Sequence, residues 1–442
     1  MEVLELLKEL IKIDSRNPFE LDTINTIDII NKQLSIGGNE IEIAEFIMDK
    51  LIEYGFTVEK QFVHSNKSSN KFYNILAEKG TGDHSILFYA HMDTVSANPW
   101  LSKNDALTPK MSKLEFQGKE RDVLVGLGSN DMKAGIAIML EAFKDLNPED
   151  HKIKLCFGVD EEFYSLGSNK LVESEFLEDV KAIIVPEIGD GPNYIYGGGS
   201  IGIGRLGRCE FEIEVHGTGG HGAISMDESF INAAVEASKI VTALEDHRKT
   251  YKDSFEFFHS EVPDTSAINN IQGSYFVNKI DCGDGSLSIP STGKISIDCT
   301  FTPNMTIDKL RTMFENIIED LYSENILKTV DIDGVTKKCS VKLKDRPTPF
   351  SEGYLTGEDH PFTQFVIENV NKTTPFMNYN MGYSVADENV FKRHFPKTPV
   401  IVLGPVGWNS HRAHEWVEIQ SILDLVKIYG DIGKNFNESL FY

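Results

Sequence analysis

The hydrophobic pattern in the first part of the chain predicts buried strands that alternate with helices. Short apolar runs at 85–90, 153–159 and 181–185 are typical of parallel strands covered on both faces. Apolar residues recur at helical spacing over 41–54 and 132–146. This alternation predicts an α/β sheet with helices on both faces.

The pattern changes in the middle of the chain. Apolar and polar side chains alternate over 209–215, which predicts a strand with one face in water. A helix signal at 229–245, a strand signal at 295–301 and a second helix signal near 306–322 follow. This order predicts a small α+β domain.

The last part of the chain returns to the first pattern. Residues 361–371 and 417–435 have helical spacing, and 399–403 is a short apolar run typical of a buried strand. We therefore predict one α/β domain that is interrupted by the smaller domain. The first part of the α/β domain, the inserted domain and the second part are predicted at 1–204, 205–346 and 347–442.

Composition and charge exclude several classes of partner. The chain has 442 residues and a formal net charge of −25, so its surface should repel phosphate backbones and anionic lipids. No apolar stretch approaches the roughly 20 residues that a membrane span needs. The five cysteines are widely spaced and form no Cys-x-x-Cys pair, which predicts reduced thiols in the cytoplasm. We expect neither a nucleic-acid nor a membrane partner.

Side chains that can bind metal follow the predicted strands where those strands end. In chain order they are His91, Glu161 with Glu162, Glu187 and His411. In addition, the glycine-rich turn GLGSNDMKAG places Asp131 just before a predicted helix. Open α/β sheets place their sites beyond the carboxyl ends of their strands. We therefore predict that these side chains meet at one edge of the sheet.

The residue types suit a site for two metal ions. Two histidines and three carboxylates can hold two divalent ions if one carboxylate bridges them. Two ions roughly 3.5–4 Å apart can hold a shared water, lower its pKa and polarise a carbonyl. A further carboxylate must then take the proton from that water. The adjacent Glu161 and Glu162 fit this division, because neighbours at a strand end point in different directions.

In combination, these motifs resemble a known family. HMDT, GLGSNDMKAG, DEE and SHRAHEW are similar to the signature of the dizinc enzymes that include aminoacylase, acetylornithine deacetylase, succinyl-diaminopimelate desuccinylase and carboxypeptidase G. The resemblance covers nearly the whole chain. It implies a zinc-exopeptidase-like catalytic domain with a mixed, mostly parallel sheet, interrupted by a ferredoxin-like α+β domain that acts as lid and dimerisation domain. It also implies a homodimer that cleaves an amide bond of a small substrate.

The resemblance assigns the metal ligands by position. His91 and Glu187 would bind one ion, Glu162 and His411 would bind the other, and Asp131 would bridge the two. Zn²⁺ is the expected ion, although Co²⁺ or Mn²⁺ suits the same ligands.

The resemblance also implies roles around the ions. Asp93 would orient the imidazole of His91. Glu161 would be the general base and would later protonate the leaving amine. His221, in the segment VHGTGGHGA, would stabilise the oxyanion of its own or the partner subunit.

Two segments allow a second interpretation. His414 competes with His411, but the family pattern places the ligand four residues before a glutamate, here Glu415, and so selects His411. GIGRLG at 202–207 matches a dinucleotide-binding fingerprint, yet a strand signal follows it where a helix would be required. We interpret this segment as the connection into the inserted domain.

The choice of substrate stays open. A glutamate at position 187 is more typical of deacylases and carboxypeptidases than of di- and tripeptidases. We therefore expect an N-acyl-amino-acid deacylase or desuccinylase. A dipeptidase or carboxypeptidase of the same family is the first alternative, and a non-catalytic metal-binding relative is the second.

The chain departs from the resemblance where relatives hold a substrate carboxylate. Many of them carry an arginine in the strand that here contains Thr300, and the loop at 378–389 also lacks one. Other donors would have to replace it, such as Asn270, Ser384 or Arg393.

Overall fold

The structure is a computed structural model. It describes residues 2–17, 40–63, 73–97, 100–187, 200–225, 227, 229–252 and 271–441. Within these ranges, no helix has the length and apolar character needed to cross a bilayer. All five cysteines have free thiols.

A mixed sheet of nine strands, counted over the described ranges, forms the larger body. In spatial order eight of its strands are Thr57–Phe62, Tyr73–Gly80, Lys152–Gly158, Ser85–His91, Val180–Val185, Val400–Val402, Ser200–Arg205 and Tyr354–Leu355. The ninth, Asn378–Gly382, pairs in parallel with Ser200–Arg205. The four strands from Lys152–Gly158 to Val400–Val402 are parallel, and the strands outside them pair antiparallel along this order. The predicted mixed α/β fold is confirmed, with more antiparallel pairing than expected.

Helices cover this sheet and complete its core. Those packed around the sheet are Val3–Lys12, Glu40–Glu53, Lys133–Phe143, Leu166–Leu171, Pro361–Asn371, Asp387–His394 and Ile419–Asn435. Nearly every residue of Lys133–Phe143 is buried, because this helix packs against both Val3–Lys12 and Ile419–Asn435. Ser85–His91 is buried along its whole length, as its continuous apolar run predicts.

The smaller body has a separate hydrophobic core. Its antiparallel sheet has the order Ser274–Cys282, Thr292–Phe301, Gly207–His216 and Ser340–Leu343. Residues of Gly207–His216 alternate between buried and half-buried, which agrees with the predicted one-sided strand. Two helices, Ala233–Thr250 and Ile307–Ser323, supply the rest of this core. The first of them begins four residues later than predicted, because Asn232 caps it.

The connection between the two bodies is short. Ser200–Arg205 belongs to the larger sheet and Gly207–His216 to the smaller one, so only Leu206 lies between them. A side chain at Gly207 would meet the backbone nitrogen of Gly353 at 2.5 Å, which explains the glycine. A strand follows GIGRLG, as the sequence indicates, and no helix N-terminus is available there for a phosphate group.

A third sheet differs from the sequence prediction. Its strands, in spatial order, are Gly407–Trp408, Trp416–Glu418, Lys119–Val125 and Lys110–Phe116. A helix was predicted from residue 417, but the chain first pairs as a strand and the helix begins at Ile419. The remaining elements are Lys103–Ala106, Glu175–Leu177, Gly220–His221, Gly222–Ile224, Ser288–Ile289, Val330–Ile332, Val335–Lys337 and Glu438–Phe441.

Candidate metal centre

Neighbouring elements bring the predicted ligands to one edge of the larger sheet. His91 is the last residue of its buried strand, and Glu187 lies two residues beyond Val180–Val185. Glu162 follows the strand Lys152–Gly158. The other two come from outside the sheet: Asp131 precedes the helix Lys133–Phe143, and His411 lies in the loop after Gly407–Trp408.

The first group of ligands surrounds the buried imidazole of His91. Its Nε2 lies 3.2 Å from Oδ1 of Asp131 and 3.3 Å from Oε2 of Glu187. All three side chains are buried, and one potential ligand atom from each lies within 4.8 Å of the others. This spacing fits a single ion among three ligands.

The second group shares Asp131 with the first. The Nε2 atom of His411 lies 3.2 Å from Oδ2 of Asp131 and 3.1 Å from Oε2 of Glu162. The two oxygens of Asp131 therefore face two different histidines. A carboxylate so placed can bridge two ions.

The surroundings of one buried atom indicate whether a metal ion fits this site. In the part of the chain that the structure describes, Nε2 of His91 is buried and has no hydrogen-bond partner, although two carboxylate oxygens lie close to it. A buried nitrogen without a partner is costly, and a cation between it and the carboxylates would remove that cost. Imidazole and carboxylate ligands suit Zn²⁺, Co²⁺ and Mn²⁺. The residues therefore fit two divalent ions.

The cluster strongly shifts the pKa values of its members when it holds no ion. Asp131 and Glu162 raise the pKa of His411 to about 12. Burial and the neighbouring Asp131 raise the pKa of Glu162 to about 7. Burial opposes the charged form of His91, but Asp131 and the other carboxylates beside it outweigh burial and raise its pKa well above the ordinary value. Divalent cations reverse this pattern, because they favour neutral imidazole and charged carboxylates.

Asp93 lies against the imidazole of His91, and its role in orienting that ring stays a prediction. Nδ1 of His91 lies 3.0 Å from the backbone carbonyl oxygen of Asp93 and 3.5 Å from its carboxylate. The buried carboxylate also accepts hydrogen bonds from the backbone nitrogens of Glu161 and Glu162, at 3.0 and 3.1 Å. Asn17 donates a third hydrogen bond at 2.9 Å. Both the backbone carbonyl and the carboxylate of Asp93 thus lie near the imidazole, and the carboxylate in addition fixes the turn that carries both glutamates.

Glu161 lies beside the cluster and outside both groups of ligands. Burial raises its pKa well above the usual value, His91 opposes this effect, and the buried Asp387 adds to it. Asp387 itself accepts hydrogen bonds from Tyr89 and from Ser168. Glu161 is therefore a carboxyl group whose surroundings favour the protonated form, as a proton carrier requires.

A cavity of about 620 Å³ opens beside these residues. Asp131, Glu161, Glu162, Glu187 and His411 contribute to its wall. Four arginines also line it: Arg205, Arg208, Arg346 and Arg412. The cavity thus combines the acidic cluster with a concentration of positive charge.

The structure does not bring His221 to this cavity within one chain. His221 is exposed in the short strand Gly220–His221, and its Nδ1 accepts a hydrogen bond from the backbone nitrogen of Ala223 at 3.2 Å. Its role as an oxyanion donor stays a prediction that involves lid movement or a partner subunit. His414 is also absent from the ligand groups, and its ring packs 5.8 Å from that of Trp100.

The residues suggested as donors to a substrate carboxylate differ in their positions and contacts. Ser384 lines the cavity and accepts a hydrogen bond from Arg205 at 3.2 Å. The guanidinium of Arg393 donates to Ser351, to Asn169 and to two backbone carbonyls, which leaves it little capacity for a substrate. Asn270 lies outside the described residues.

Sequence reasoning missed the role of Glu415. Its buried carboxylate accepts three backbone hydrogen bonds, from Gly128 at 2.9 Å, Asn130 at 2.8 Å and Asp131 at 2.9 Å. These bonds hold the turn that presents the shared carboxylate of Asp131. The sequence signal was present, because Glu415 marks the spacing from His411, but it did not indicate what the side chain binds.

We expect Glu415→Gln to weaken ion binding by about 10- to 100-fold, the usual effect of losing support behind a ligand. A glutamine amide would place a donor against one of the three backbone nitrogens that Glu415 serves. The measurement is ion affinity by competition with a chelator of known strength. Glu324→Gln, at an exposed position, is the matched control. Equal ion affinity in Glu415→Gln and wild type would contradict this account of the turn.

Comparison with known proteins gives a match over most of the chain. The family described as Peptidase family M20/M25/M40 matches residues 87–435. Succinyl-diaminopimelate desuccinylase of Pelagibacter ubique is 25% identical over 430 residues, which cover 94% of this chain and 100% of the relative. The enzyme of the same name from Orientia tsutsugamushi is 24% identical over 437 residues, with 97% and 94% covered.

Solved structures show the same fold. A tripeptidase from Staphylococcus aureus superposes with a TM-score of 0.66 at 16% identity, covering 98% of this chain and 97% of that one. Human carnosine dipeptidase 1 gives 0.59 at 16% identity, covering 97% and 95%. A Bacillus subtilis protein described as a dinuclear metal-binding peptidase gives 0.63 at 14% identity, covering 98% and 96%.

Proposed function

The chain belongs to peptidase family M20/M25/M40 and is a metal-dependent hydrolase, and on that premise we propose that it removes the acyl group from an N-acylated amino acid. One observation carries the proposal: the two oxygens of Asp131 face His91 and His411 in two ligand groups. The full-length relatives named desuccinylase support an acylated substrate.

In this proposal two divalent ions share the cluster. His91 and Glu187 would hold one ion, Glu162 and His411 would hold the other, and Asp131 belongs to both groups. Ions bound in this way lower the pKa of water and polarise the amide carbonyl. Zn²⁺ is the ion we propose first, with Co²⁺ and Mn²⁺ as alternatives that suit the same donors.

Glu161 carries the proton in this scheme. Its carboxylate takes a proton from the water that attacks the amide carbon and then gives that proton to the nitrogen of the leaving amine. The raised pKa of Glu161 suits the second transfer, because it allows the carboxyl group to hold a proton. Asp93 keeps Glu161 in place through its backbone nitrogen.

The inserted domain would complete the site. We propose that His221 donates a hydrogen bond to the oxyanion, either after lid closure or from the partner subunit of a homodimer. Its exposure in a single chain leaves the imidazole accessible for either arrangement. The free thiols of all five cysteines support a reducing compartment, and we propose the cytoplasm.

A dipeptidase or carboxypeptidase is the second candidate. The structures of a tripeptidase and of a dipeptidase share the fold. At their low identities the likeness concerns architecture, so it does not separate peptide from acyl substrates. The relatives named desuccinylase favour the deacylase.

We expect the metal-loaded protein to hydrolyse N-succinyl or N-acetyl amino acids faster than free dipeptides. The test is a hydrolysis screen with Zn²⁺, Co²⁺ or Mn²⁺ added in turn, and chelator-treated protein serves as the control. The same ions should raise the thermal midpoint, because an ion at 100 times its Kd adds about 2.7 kcal/mol of stability. Faster cleavage of dipeptides would favour the second candidate. Two bound ions without hydrolysis of any compound would indicate a non-catalytic relative.

A further inference from the structure

A second group of residues that can bind metal lies at the start of the strand Ser85–His91, which ends in the candidate metal centre. Asp83, His84 and Glu438 each offer one potential ligand atom, and these atoms lie within 4.8 Å of one another. His84 directly precedes the strand, so seven steps of about 3.3 Å place it roughly 23 Å from His91. This group is therefore separate from the ligands proposed for the two catalytic ions.

The imidazole of His84 has an unused nitrogen. The side chain is buried, with 9% of its surface exposed, and its Nδ1 lies 3.1 Å from Oδ1 of Asp83. Its Nε2 is also buried and has no hydrogen-bond partner among the described residues. A carboxylate thus meets one nitrogen of the ring, and no side chain or carbonyl of the described chain meets the other.

The neighbouring His151 shows that this state does not follow from the position alone. Its ring stacks on that of His84 with the centres 6.1 Å apart, and it too follows an aspartate, Asp150. Its Nδ1 lies 2.8 Å from Oδ1 of Asp150, and its Nε2 lies 2.8 Å from the backbone carbonyl oxygen of Gly433. Both nitrogens of His151 are therefore used within the protein, so the unused nitrogen of His84 requires a cause of its own.

The same feature occurs at one other histidine of the described chain. There, Nε2 of His91 and Nε2 of His84 are the two histidine nitrogens that are buried without a partner. Both residues belong to groups in which carboxylates could share an ion with the imidazole. A cation removes the cost of such a nitrogen at His91, and the same physical argument applies to His84. One imidazole and two carboxylates suit Zn²⁺, Co²⁺ or Mn²⁺.

The third member of the group comes from a distant part of the chain. Glu438 begins the short helical turn Glu438–Phe441, whereas Asp83 and His84 belong to the connection between two strands of the larger sheet. The ring of Phe436 packs 5.9 Å from that of His84 and brings this part of the chain to the sheet. Asp83 is exposed and Glu438 is half-buried, so an ion can enter from solvent. An ion held here would connect the turn to the sheet.

We propose that Asp83, His84 and Glu438 form a third, non-catalytic site for a divalent transition-metal ion, which fixes the turn Glu438–Phe441 against the sheet. The two carboxylates balance the charge of the ion, and the imidazole supplies a neutral nitrogen. Three protein ligands leave a coordination position for water. The ion would stabilise the folded chain, because the unfolded chain does not bring these three ligands together.

Counting ions tests whether the site exists. Full-length protein is stripped with a chelator, and Mn²⁺ or Zn²⁺ is then bound by equilibrium dialysis and measured by elemental analysis. We expect wild type to bind one ion more per chain than His84→Gln or Glu438→Gln. Each variant should weaken this ion by at least about 100-fold, because losing a ligand should cost no less than losing the support behind one. His216→Gln, at a half-buried position in the inserted domain, is the matched control and should keep the wild-type count. Equal counts in wild type and both ligand variants would overturn the proposal.

Anomalous diffraction locates the ion and separates this inference from the proposed activity. Crystals of wild type soaked in Zn²⁺ should show a peak between Asp83, His84 and Glu438, roughly 23 Å from His91. A peak here without a pair of peaks at the candidate metal centre would support this site and remove only the proposed two-metal function. Peaks at the metal centre alone would overturn this inference, and this result decides the question even if the ligand variants do not fold.

Discussion

Glu161→Gln should lower kcat by about 10²- to 10⁴-fold while both ions stay bound, because the variant loses only the group that carries the proton. The glutamine keeps the size of the side chain and its backbone hydrogen bond to Asp93. Glu161 belongs to neither ligand group, so its removal leaves the predicted ligands in place. The measurements are steady-state kinetics and elemental analysis of the same preparation.

The stability of this variant supplies an independent check. The pKa of Glu161 is raised in the folded protein, so at neutral pH its charged form is disfavoured by folding. We therefore expect ion-free Glu161→Gln to unfold at a temperature at least as high as wild type. Glu315→Gln, on the exposed face of Ile307–Ser323, is the matched control and should change neither rate nor midpoint. Loss of ions together with activity would show that Glu161 is a ligand and would contradict the assigned role.

The elements that the sequence predicts best are those buried on both sides. The apolar runs at 85–90 and 181–185 correspond to Ser85–His91 and Val180–Val185, with ends displaced by one residue. A continuous apolar run marks such strands clearly. Lys110–Phe116 escaped prediction because most of its residues are exposed. It forms a hairpin with Lys119–Val125, and the position of this hairpin depends on the pairing of Lys119–Val125 with Trp416–Glu418, far along the chain.

The candidate site was predictable where topology alone determines position. Parallel neighbouring strands deliver their following residues to one edge, so His91, Glu162 and Glu187 had to lie near one another. The contacts of Glu415 could not be predicted, because its partners are backbone nitrogens almost 290 positions earlier.

The contacts of Asp93 were also only partly predictable from the sequence. Its sequence position predicts contact with His91, and the structure places the two side by side. The chain conformation after the strand decides which atoms meet, and this brings the backbone carbonyl nearer than the carboxylate. Asp93 therefore connects the first ligand to the turn of Glu161 and Glu162, so that one residue positions both ligand groups and the proton carrier.

Asp131→Asn should have the largest effect, with loss of both ions and a fall in kcat/KM of more than about 10⁴-fold. An asparagine has one oxygen where the carboxylate has two, and Asp131 uses one oxygen toward His91 and the other toward His411. Without the ions, water ionises about nine pKa units higher than in such a site. The measurements are elemental analysis after dialysis and kinetics on the best substrate of the screen.

Glu187→Gln provides the comparison that tests whether Asp131 bridges the two ligand groups. Glu187 belongs only to the group of His91, so its replacement should weaken one ion and leave the other in the group of Glu162. Asp246→Asn, at an exposed position in the inserted domain, should retain both ions and full activity. If Asp131→Asn keeps one ion as Glu187→Gln does, the two groups bind independently and Asp131 does not bridge them. Loss of both ions in Asp131→Asn alone would establish that the two groups form one centre through this carboxylate.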